Sequence, residues 1–190
     1  MTKEEFLSSN LTDDAPTYEI LREQLQIKDK DIHSYRNIFE KELKYIQSLR
    51  DIYKQKINDD KNKNKNTKFL FKDFNEFYLW YVKYDKIGKC CYCGVPKTIS
   101  NESSIFESSK RGRGRVLEVE RVVTIPDDKN IYNIDNCRLA CHICNNAKSD
   151  FITPKNFKYI AKGINELWNE LLKEDDISIE FPENSNIWNK

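Results

Sequence analysis

The chain has 190 residues, of which 32 are basic and 31 acidic, so its formal net charge is +1. This balance excludes a protein that is strongly basic or acidic over its whole surface, and it leaves only local charge clusters to attract a charged partner. No apolar run approaches the ~18 residues that cross a bilayer, and the first residues do not resemble a signal peptide. We therefore expect a cytoplasmic protein without a membrane partner, whose cysteines are reduced.

The N-terminal region, residues 1–60, is predicted to be helical after a polar start at residues 1–16. Over about residues 29–57, apolar side chains recur at steps of three and four residues, which is typical of an amphipathic helix. The stripe consists of Ile32, Tyr35, Phe39, Ile46, Leu49 and Tyr53. It fits a homodimer helix or a helix that binds a larger protein partner. Packing against the rest of the same chain explains it equally well, and we slightly prefer this interpretation.

A basic linker is predicted at residues 61–72, because residues 58–67 contain no apolar side chain. Asp73 begins the next helix, with Glu76 three positions later as a capping box, and Gly88 ends it. The apolar residues on one face are predicted to belong to the core and not to a surface for base stacking. They are Phe74, Phe77, Tyr78, Tyr81 and Val82.

The main domain is predicted to span residues 73–175, followed by a C-terminal tail at residues 176–190. Residues 116–123 alternate and are rich in β-branched side chains, which predicts a strand. A turn is expected at residues 126–130, and a helix over roughly residues 137–148.

A last helix is predicted to begin at Thr153, which would be its N-cap, with Pro154 in its first turn. It is expected to reach about Glu174, and the tail to add a short strand at residues 177–181. The side chains predicted to face inward are Phe157, Ile160, Ile164, Leu167, Trp168 and Leu171.

Two C-x-x-C turns predict one structural Zn²⁺ ion, held by Cys90, Cys93, Cys141 and Cys144. Each such turn directs two thiolates at one point, and structural zinc takes four ligands in a tetrahedron. Cys91 is an alternative to Cys90, but only Cys90 keeps the two-residue spacing. The ion would join segments that lie nearly fifty residues apart in the sequence.

The residues between and after these turns carry a second pattern. Residues 118–121 read Glu-Val-Glu-Arg, Asn136 follows, and residues 141–148 read Cys-His-Ile-Cys-Asn-Asn-Ala-Lys. This order resembles the HNH family, also called His-Me finger nucleases, over roughly residues 89–160. The resemblance implies an α+β fold, in which a ββα-metal zinc finger with a four-cysteine clasp is embedded in helices. It also implies an endonuclease that hydrolyses DNA phosphodiester bonds with Mg²⁺ or Mn²⁺.

The resemblance also implies roles for single residues. Glu120 stands at the position of the acid that binds the cation, and Asn145 at that of the helix ligand. Asn136 matches the central asparagine, which ties the loop to the strand. Glu118 lies two residues before Glu120 and so on the same strand face, which makes it a further cation ligand.

The chain departs from the family at Arg121, which stands where the general-base histidine is usual. Arginine stays charged and cannot accept a proton from water, but it can bind a phosphate or stabilise transition-state charge. The base is then metal hydroxide, Tyr132 or His142, and we rank metal hydroxide first.

A basic loop precedes the strand and is predicted to contact nucleic-acid phosphates, because cations and flexible glycines suit a close approach to the backbone. Its cations are Lys110, Arg111, Arg113 and Arg115, and Lys148 is predicted to assist them. The alternative, which we rank second, is a solvated loop without a partner.

The sequence is compatible with three functions. The first is the HNH-type endonuclease that acts on DNA. The second is a catalytically inactive, zinc-stabilised nucleic-acid-binding module, which the replacement of the base by Arg121 favours. The third is a subunit of a larger defence or mobile-element complex that docks through the N-terminal helix.

Overall fold

The computed structural model describes the backbone of residues 32–61, 67–102 and 117–190. It describes the side chains of residues 44–61, 67–100 and 117–190. Residues 1–16 and the basic loop with Lys110, Arg111, Arg113 and Arg115 lie outside the described residues. The chain forms two compact units, one of residues 1–65 and 71–80 and one of residues 66–70 and 81–190. In the described part, no helix is long and apolar enough to cross a membrane.

The first unit contains helix α1, Ile32–Lys61. Ile46, Leu49 and Tyr53 are buried, as the predicted stripe requires. The Tyr53 ring lies 5.5 Å from the ring of Phe74 and 5.6 Å from that of Phe77. This half of the stripe therefore packs within the chain. Because no glycine or proline interrupts it, α1 extends through residues 58–61, which were predicted to begin the linker.

Helix α2, Phe74–Ile87, begins and ends at the predicted residues, and the boundary between the units falls within it, after Trp80. The Asp73 Oδ1 atom accepts a hydrogen bond from the Glu76 amide at 2.8 Å, and Glu76 in turn accepts one from the Lys72 amide. Gly88 adopts φ of 64°, which suits a helix end. Four of the five predicted core side chains are buried, which confirms their core role: Phe74, Phe77, Tyr78 and Tyr81.

The second unit combines short strands with helices. Its elements are β1 Lys68–Phe69, α3 Lys97–Glu102, β2 Glu118–Arg121, β3 Ile131–Tyr132, β4 Cys137–Ala140, α4 His142–Lys148 and α5 Pro154–Leu171. β1 pairs in parallel with β3, and β2 pairs antiparallel with β4. The predicted turn contains a 3₁₀ helix at Asp127–Lys129. The described chain is thus a mixed fold of helices and small sheets.

The prediction of one helix over residues 137–148 is wrong in its first part, since Cys137–Ala140 is the strand β4. Its register places Cys137 opposite Arg121 and Ala140 opposite Glu118. The helix begins only after Cys141, whose Sγ atom accepts a hydrogen bond from the Cys144 amide as the N-cap. A four-residue strand carries little local signal, because its conformation depends on a distant pairing partner.

Helix α5 begins as predicted, with the Thr153 hydroxyl accepting a hydrogen bond from the Asn156 amide and Pro154 in the first turn. Phe157, Ile164 and Trp168 are buried as predicted. Three other side chains predicted to face inward are exposed instead: Ile160, Leu167 and Leu171. The buried stripe runs through Ala161 and Asn165 instead, so it is narrower and more polar than a count of apolar residues indicates.

The predicted strand at residues 177–181 does not form. The Ile179 amide instead donates to the side chain of Asn169 at 2.6 Å, and its carbonyl accepts from the side chains of Asn165 and Asn169. The Asn165 amide also donates to the Cys93 carbonyl at 2.8 Å. Side-chain amides thus bind this segment where a neighbouring strand is lacking.

Two glycines give a matched test of this packing. A Cβ atom at Gly94, where φ is 79°, would lie 2.4 Å from the Glu180 carbonyl oxygen, whereas one at Gly163 in α5 meets nothing within 4 Å. We expect Gly94→Ala to lower the free energy of unfolding by at least ~2 kcal/mol through backbone strain and the clash. Gly163→Ala should raise it by about 0.5–1 kcal/mol, because alanine favours the helix. Urea unfolding of both variants measures this difference, and equal effects would contradict it.

Candidate functional site

Four buried thiols meet at one point in the second unit. The Sγ atoms of Cys90, Cys93, Cys141 and Cys144 all lie within 4.8 Å of one another, and those of Cys93 and Cys141 are 3.7 Å apart. Ligands of a tetrahedral zinc with Zn–S bonds of about 2.3 Å stand roughly 3.8 Å apart. The four thiols can therefore hold a zinc ion, as predicted, and Cys90 takes part instead of Cys91.

Local backbone structure brings the two halves of this cluster together. In the first half, Gly94 turns the chain so that its amide donates to the Cys90 carbonyl at 3.0 Å. In the second half, Cys141 and Cys144 lie three residues apart at the start of α4, on one side of the helix. The Cys91 amide donates to the Leu139 carbonyl of β4 at 2.9 Å, which joins the two halves by backbone as well.

The thiols of the cluster influence one another's ionisation. Burial raises the pKa of the Cys90 thiol, but hydrogen bonds from Cys141 and Cys144 more than offset this, and the pKa lies well below its ordinary value. The pKa of Cys93 and that of Cys144 are raised, with the hydrogen bond to Cys141 as the largest cause. A bound metal would remove this competition, because metal binding favours the thiolate of each cysteine that it contacts.

We expect about one zinc per chain in purified protein, measured by elemental analysis. Cys93→Ser and Cys144→Ser should each lose the metal and unfold the second unit, because structural zinc contributes about 10–16 kcal/mol to folding in small metal-binding domains. Cys91→Ser is the matched control, since it removes a neighbouring thiol outside the cluster, and it should keep both zinc and fold. Full zinc content in Cys144→Ser would contradict the assignment.

A second polar cluster lies between β2 and α4, and we call it the Glu118 cluster. The Glu118 Oε1 atom is 2.9 Å from His142 Nδ1, and the Asn145 amide donates to Glu118 Oε2 at 2.5 Å. The Asn146 side chain lies 2.8 Å from His142 Nε2. Both contacts of the imidazole are satisfied in the tautomer with hydrogen on Nδ1. The Glu118 side chain remains 26% exposed, so solvent and solutes reach the cluster.

Glu120 lies on the same side of β2 as Glu118, as predicted, but in a different environment. It is 5% exposed, and its Oε1 atom is 3.1 Å from the Lys148 ammonium and accepts a hydrogen bond from the Tyr92 hydroxyl at 3.3 Å. Burial raises the pKa of the Glu120 carboxyl, while Lys148 lowers it. The ion pair with Lys148 thus balances the charge of this carboxylate inside the protein.

The predicted contact of Lys148 with nucleic acid is wrong. The side chain is fully buried, and its ammonium also donates to the carbonyl of Arg121 at 3.1 Å. No part of it is left to reach a phosphate. Lys148 instead joins the end of α4 to β2 by binding the Glu120 carboxylate and the strand backbone.

Arg121 is held by contacts on several sides. Its Nη1 atom donates to Asn130 Oδ1 at 2.6 Å, its Nη2 atom pairs with Asp150 at 2.8 Å, and its guanidinium lies 4.7 Å from the centre of the Tyr132 ring. Asp150 is exposed, so a phosphate that competes for this guanidinium would displace only a surface carboxylate. Tyr132, one of the predicted alternatives for the base, is buried.

Asn136 ties the loop to the strand, which is the contact predicted for it. Its Oδ1 atom accepts from the Val123 amide at 2.8 Å, and its Nδ2 atom donates to the carbonyls of Val123 and Ile131, each at 2.8 Å. Each polar atom of the amide is used by the backbone. Asn136 therefore positions β2 and the following loop and does not itself reach the Glu118 cluster.

The structure brings together two of the three predicted cation ligands, Glu118 and Asn145, and separates Glu120 from them. It adds His142, which the sequence indicated only as one alternative for the base. His142 precedes Asn145 by three residues, so the helical repeat places both on one face of α4. That spacing was the available signal. No pattern in the sequence indicated Tyr92, whose hydroxyl donates a hydrogen bond to Glu120 from within the first cysteine turn.

Comparisons with protein-family models, curated proteins and solved structures give no match to this chain. The chemistry and placement of its own residues are therefore what indicates a function.

Proposed function

We propose that this chain is a metal-dependent endonuclease of the HNH type, which hydrolyses phosphodiester bonds in DNA. One observation carries the proposal: the carboxylate of Glu118 on β2 and the amide of Asn145 on α4 are in contact, with His142 on the second carboxylate oxygen. The family resemblance implies an acid of the strand and the asparagine after the last cysteine as cation ligands, and in this proposal Glu118 takes the place that the resemblance gave to Glu120.

The order of elements around this contact agrees with the proposal. β2 pairs antiparallel with β4, α4 follows β4 directly, and the four-thiol cluster holds the start of α4. This is the arrangement that a ββα-metal finger with a four-cysteine clasp requires. Asn136 binds the connection between the strands, as the family's central asparagine does.

The residues of the Glu118 cluster suit a divalent cation. Glu118 supplies negative charge, and the side chains of Asn145 and His142 supply an oxygen and a nitrogen donor. The Asn145 Nδ2 and His142 Nδ1 atoms lie 2.5 and 2.9 Å from the two Glu118 oxygens, so the three side chains are close enough to share one cation. They would bind it through the Asn145 oxygen after the amide turns over, and through an unprotonated His142 nitrogen. Bound there, Mg²⁺ or Mn²⁺ would lower the pKa of a bound water and stabilise the leaving oxygen.

The proposal assigns Glu120 and Arg121 to supporting roles. Glu120 balances the buried charge of Lys148 and so keeps α4 against β2. The Arg121 guanidinium cannot accept a proton. It is available to a phosphate oxygen by exchange for the exposed carboxylate of Asp150, and a guanidinium in that position would stabilise charge on the reacting phosphate.

Glu118 is a cleaner test of catalysis than Glu120. Removal of Glu120 leaves Lys148 unpaired in the interior, which costs about 3–5 kcal/mol and confuses lost folding with lost chemistry. Glu118 is part-exposed, so Glu118→Gln keeps the shape of the side chain and removes only its charge.

We expect purified protein to cut plasmid or single-stranded DNA in Mg²⁺ or Mn²⁺ and to stop without them. Glu118→Gln and Asn145→Ala should each reduce the rate at least ~100-fold, because the cation is no longer held where charge develops. Glu166→Gln, an exposed glutamate of α5, is the matched control and should cut normally. Zinc content and thermal unfolding are measured for every variant, so that loss of the clasp is recognised. Unchanged cutting by both cluster variants would refute the proposed site.

The second candidate function is a nucleic-acid-binding module without cleavage, which the fixed guanidinium of Arg121 at the base position favours. Arg121→His separates the two functions, because it restores the family's usual base. Cleavage by the wild-type protein excludes the inactive module. A wild-type protein that binds DNA but never cuts it in any metal, combined with cutting by Arg121→His, would establish the module and reject the nuclease.

A further inference from the structure

One face of helix α5 forms a cationic groove with the C-terminal segment, and we call it the lysine groove. The groove has a volume of about 640 Å³ and is lined chiefly by Lys155, Lys158, Tyr159, Lys162, Trp188 and Lys190. The three lysines of α5 recur at steps of three and four residues, so they lie on one side of the helix. These three lysines belong to none of the motifs of the sequence.

The order of charges along α5 opposes its own macrodipole. Its lysines fall in the first half of the helix and its acids, Glu166 and Glu170, in the second. The first turn contains no acid and the last turn no base. The N-terminal end of a helix carries partial positive charge, so this order destabilises the isolated helix. A feature that violates a local rule in this way is typical of a binding site, where a ligand supplies the missing charge.

The groove keeps positive charge after its internal contacts are counted. Lys158 pairs with Glu183 at 2.5 Å, and the Lys190 ammonium donates to the Asp135 carbonyl. Within the described ranges, no carboxylate lies within salt-bridge distance of Lys155 or Lys162. These two ammonium groups are therefore available to an anionic partner.

An exposed aromatic side chain in the groove indicates which kind of anionic partner it binds. Tyr159 is 81% exposed and lines the same groove as the lysines. Lysines beside an exposed ring form the usual surface for single-stranded nucleic acid, on which phosphates meet the cations and a base stacks on the ring. From Lys155 to Lys162 the helix rises about 10 Å, a length over which a strand carries about three phosphates.

We propose that the lysine groove is a binding site for a single strand of nucleic acid. Lys155 and Lys162 bind its phosphates, and Tyr159 stacks on a base. The choice of partner rests on the proposed action on DNA, but binding here requires neither the Glu118 cluster nor cleavage.

The test is fluorescence anisotropy of the full chain with a labelled single-stranded 20-mer, without divalent cations, over a range of salt concentrations. The double variant Lys155→Gln/Lys162→Gln should bind about tenfold more weakly, and its log–log salt slope should fall by about 1.4, at ~0.7 per phosphate contact on a single strand. Tyr159→Leu should bind about tenfold more weakly as well, at an unchanged salt slope, because stacking involves no counterion.

The matched control is Lys86→Gln/Lys173→Gln, which removes the same charge at exposed positions outside the groove and should bind like the wild type. The groove variants should unfold at the wild-type temperature or slightly above it, since Lys155→Gln relieves the conflict with the helix dipole. Equal weakening by the groove and control variants would overturn the proposal. The proposal would also be overturned if polyglutamate competed with the labelled strand as strongly as unlabelled single-stranded DNA does and Tyr159→Leu bound the strand like the wild type. The groove would then bind acidic polypeptides.

A parallel cleavage assay keeps the two proposals apart. Binding that depends on the groove in a protein that never cuts DNA upholds the lysine groove and rejects the nuclease. If the Lys155→Gln/Lys162→Gln variant cuts DNA and binds the single strand with wild-type affinity, the nuclease is upheld and the lysine groove is rejected.

Discussion

The four-thiol cluster is the constraint on which the rest of the second unit depends. It joins Cys90 and Cys93 to Cys141 and Cys144, which are far apart in the sequence, and so it sets where α4 begins. The elements around it are too short to be stable alone: β2 and β4 have four residues each and α4 has seven. Helices and hairpins of this size are marginal in water, and a bound zinc would supply the missing stability.

The direction of α4 decides the chemistry of the face that it shares with β2. Glu118 and Glu120 have the same functional group and lie two residues apart, yet one faces solvent beside His142 and Asn145, and the other faces the interior beside Lys148. A buried carboxylate needs a partner charge, which Lys148 supplies, whereas a part-exposed one remains open to an external cation. The environment, and not the residue type, thus separates the two roles.

Neutral amide side chains hold the irregular segments around this face. Asn136 binds the backbone between β2 and β4, and Asn165 binds both the first cysteine turn and the C-terminal segment. An amide offers a donor and an acceptor at once, so it satisfies buried backbone groups without bringing a charge into the interior. Loops around the site are therefore fixed in position although little regular structure surrounds them.

The sequence by itself determined the features that depend on neighbouring residues. Both cysteine turns, the N-cap at Asp73, the helix end at Gly88 and the start of α5 at Thr153 appear where they were predicted. Each rests on contacts within a few residues of the chain, so the local sequence contains the whole signal.

Only the tertiary structure decided what depends on distant partners. Residues 137–140 become a strand because β2 lies beside them. Ile160 is exposed because, among the residues that the structure describes, no element covers that side of α5. Lys148 is buried because Glu120 is there to neutralise it. In each case the free energy comes from a contact between segments far apart in the sequence, and such contacts override the local preferences from which a sequence is interpreted.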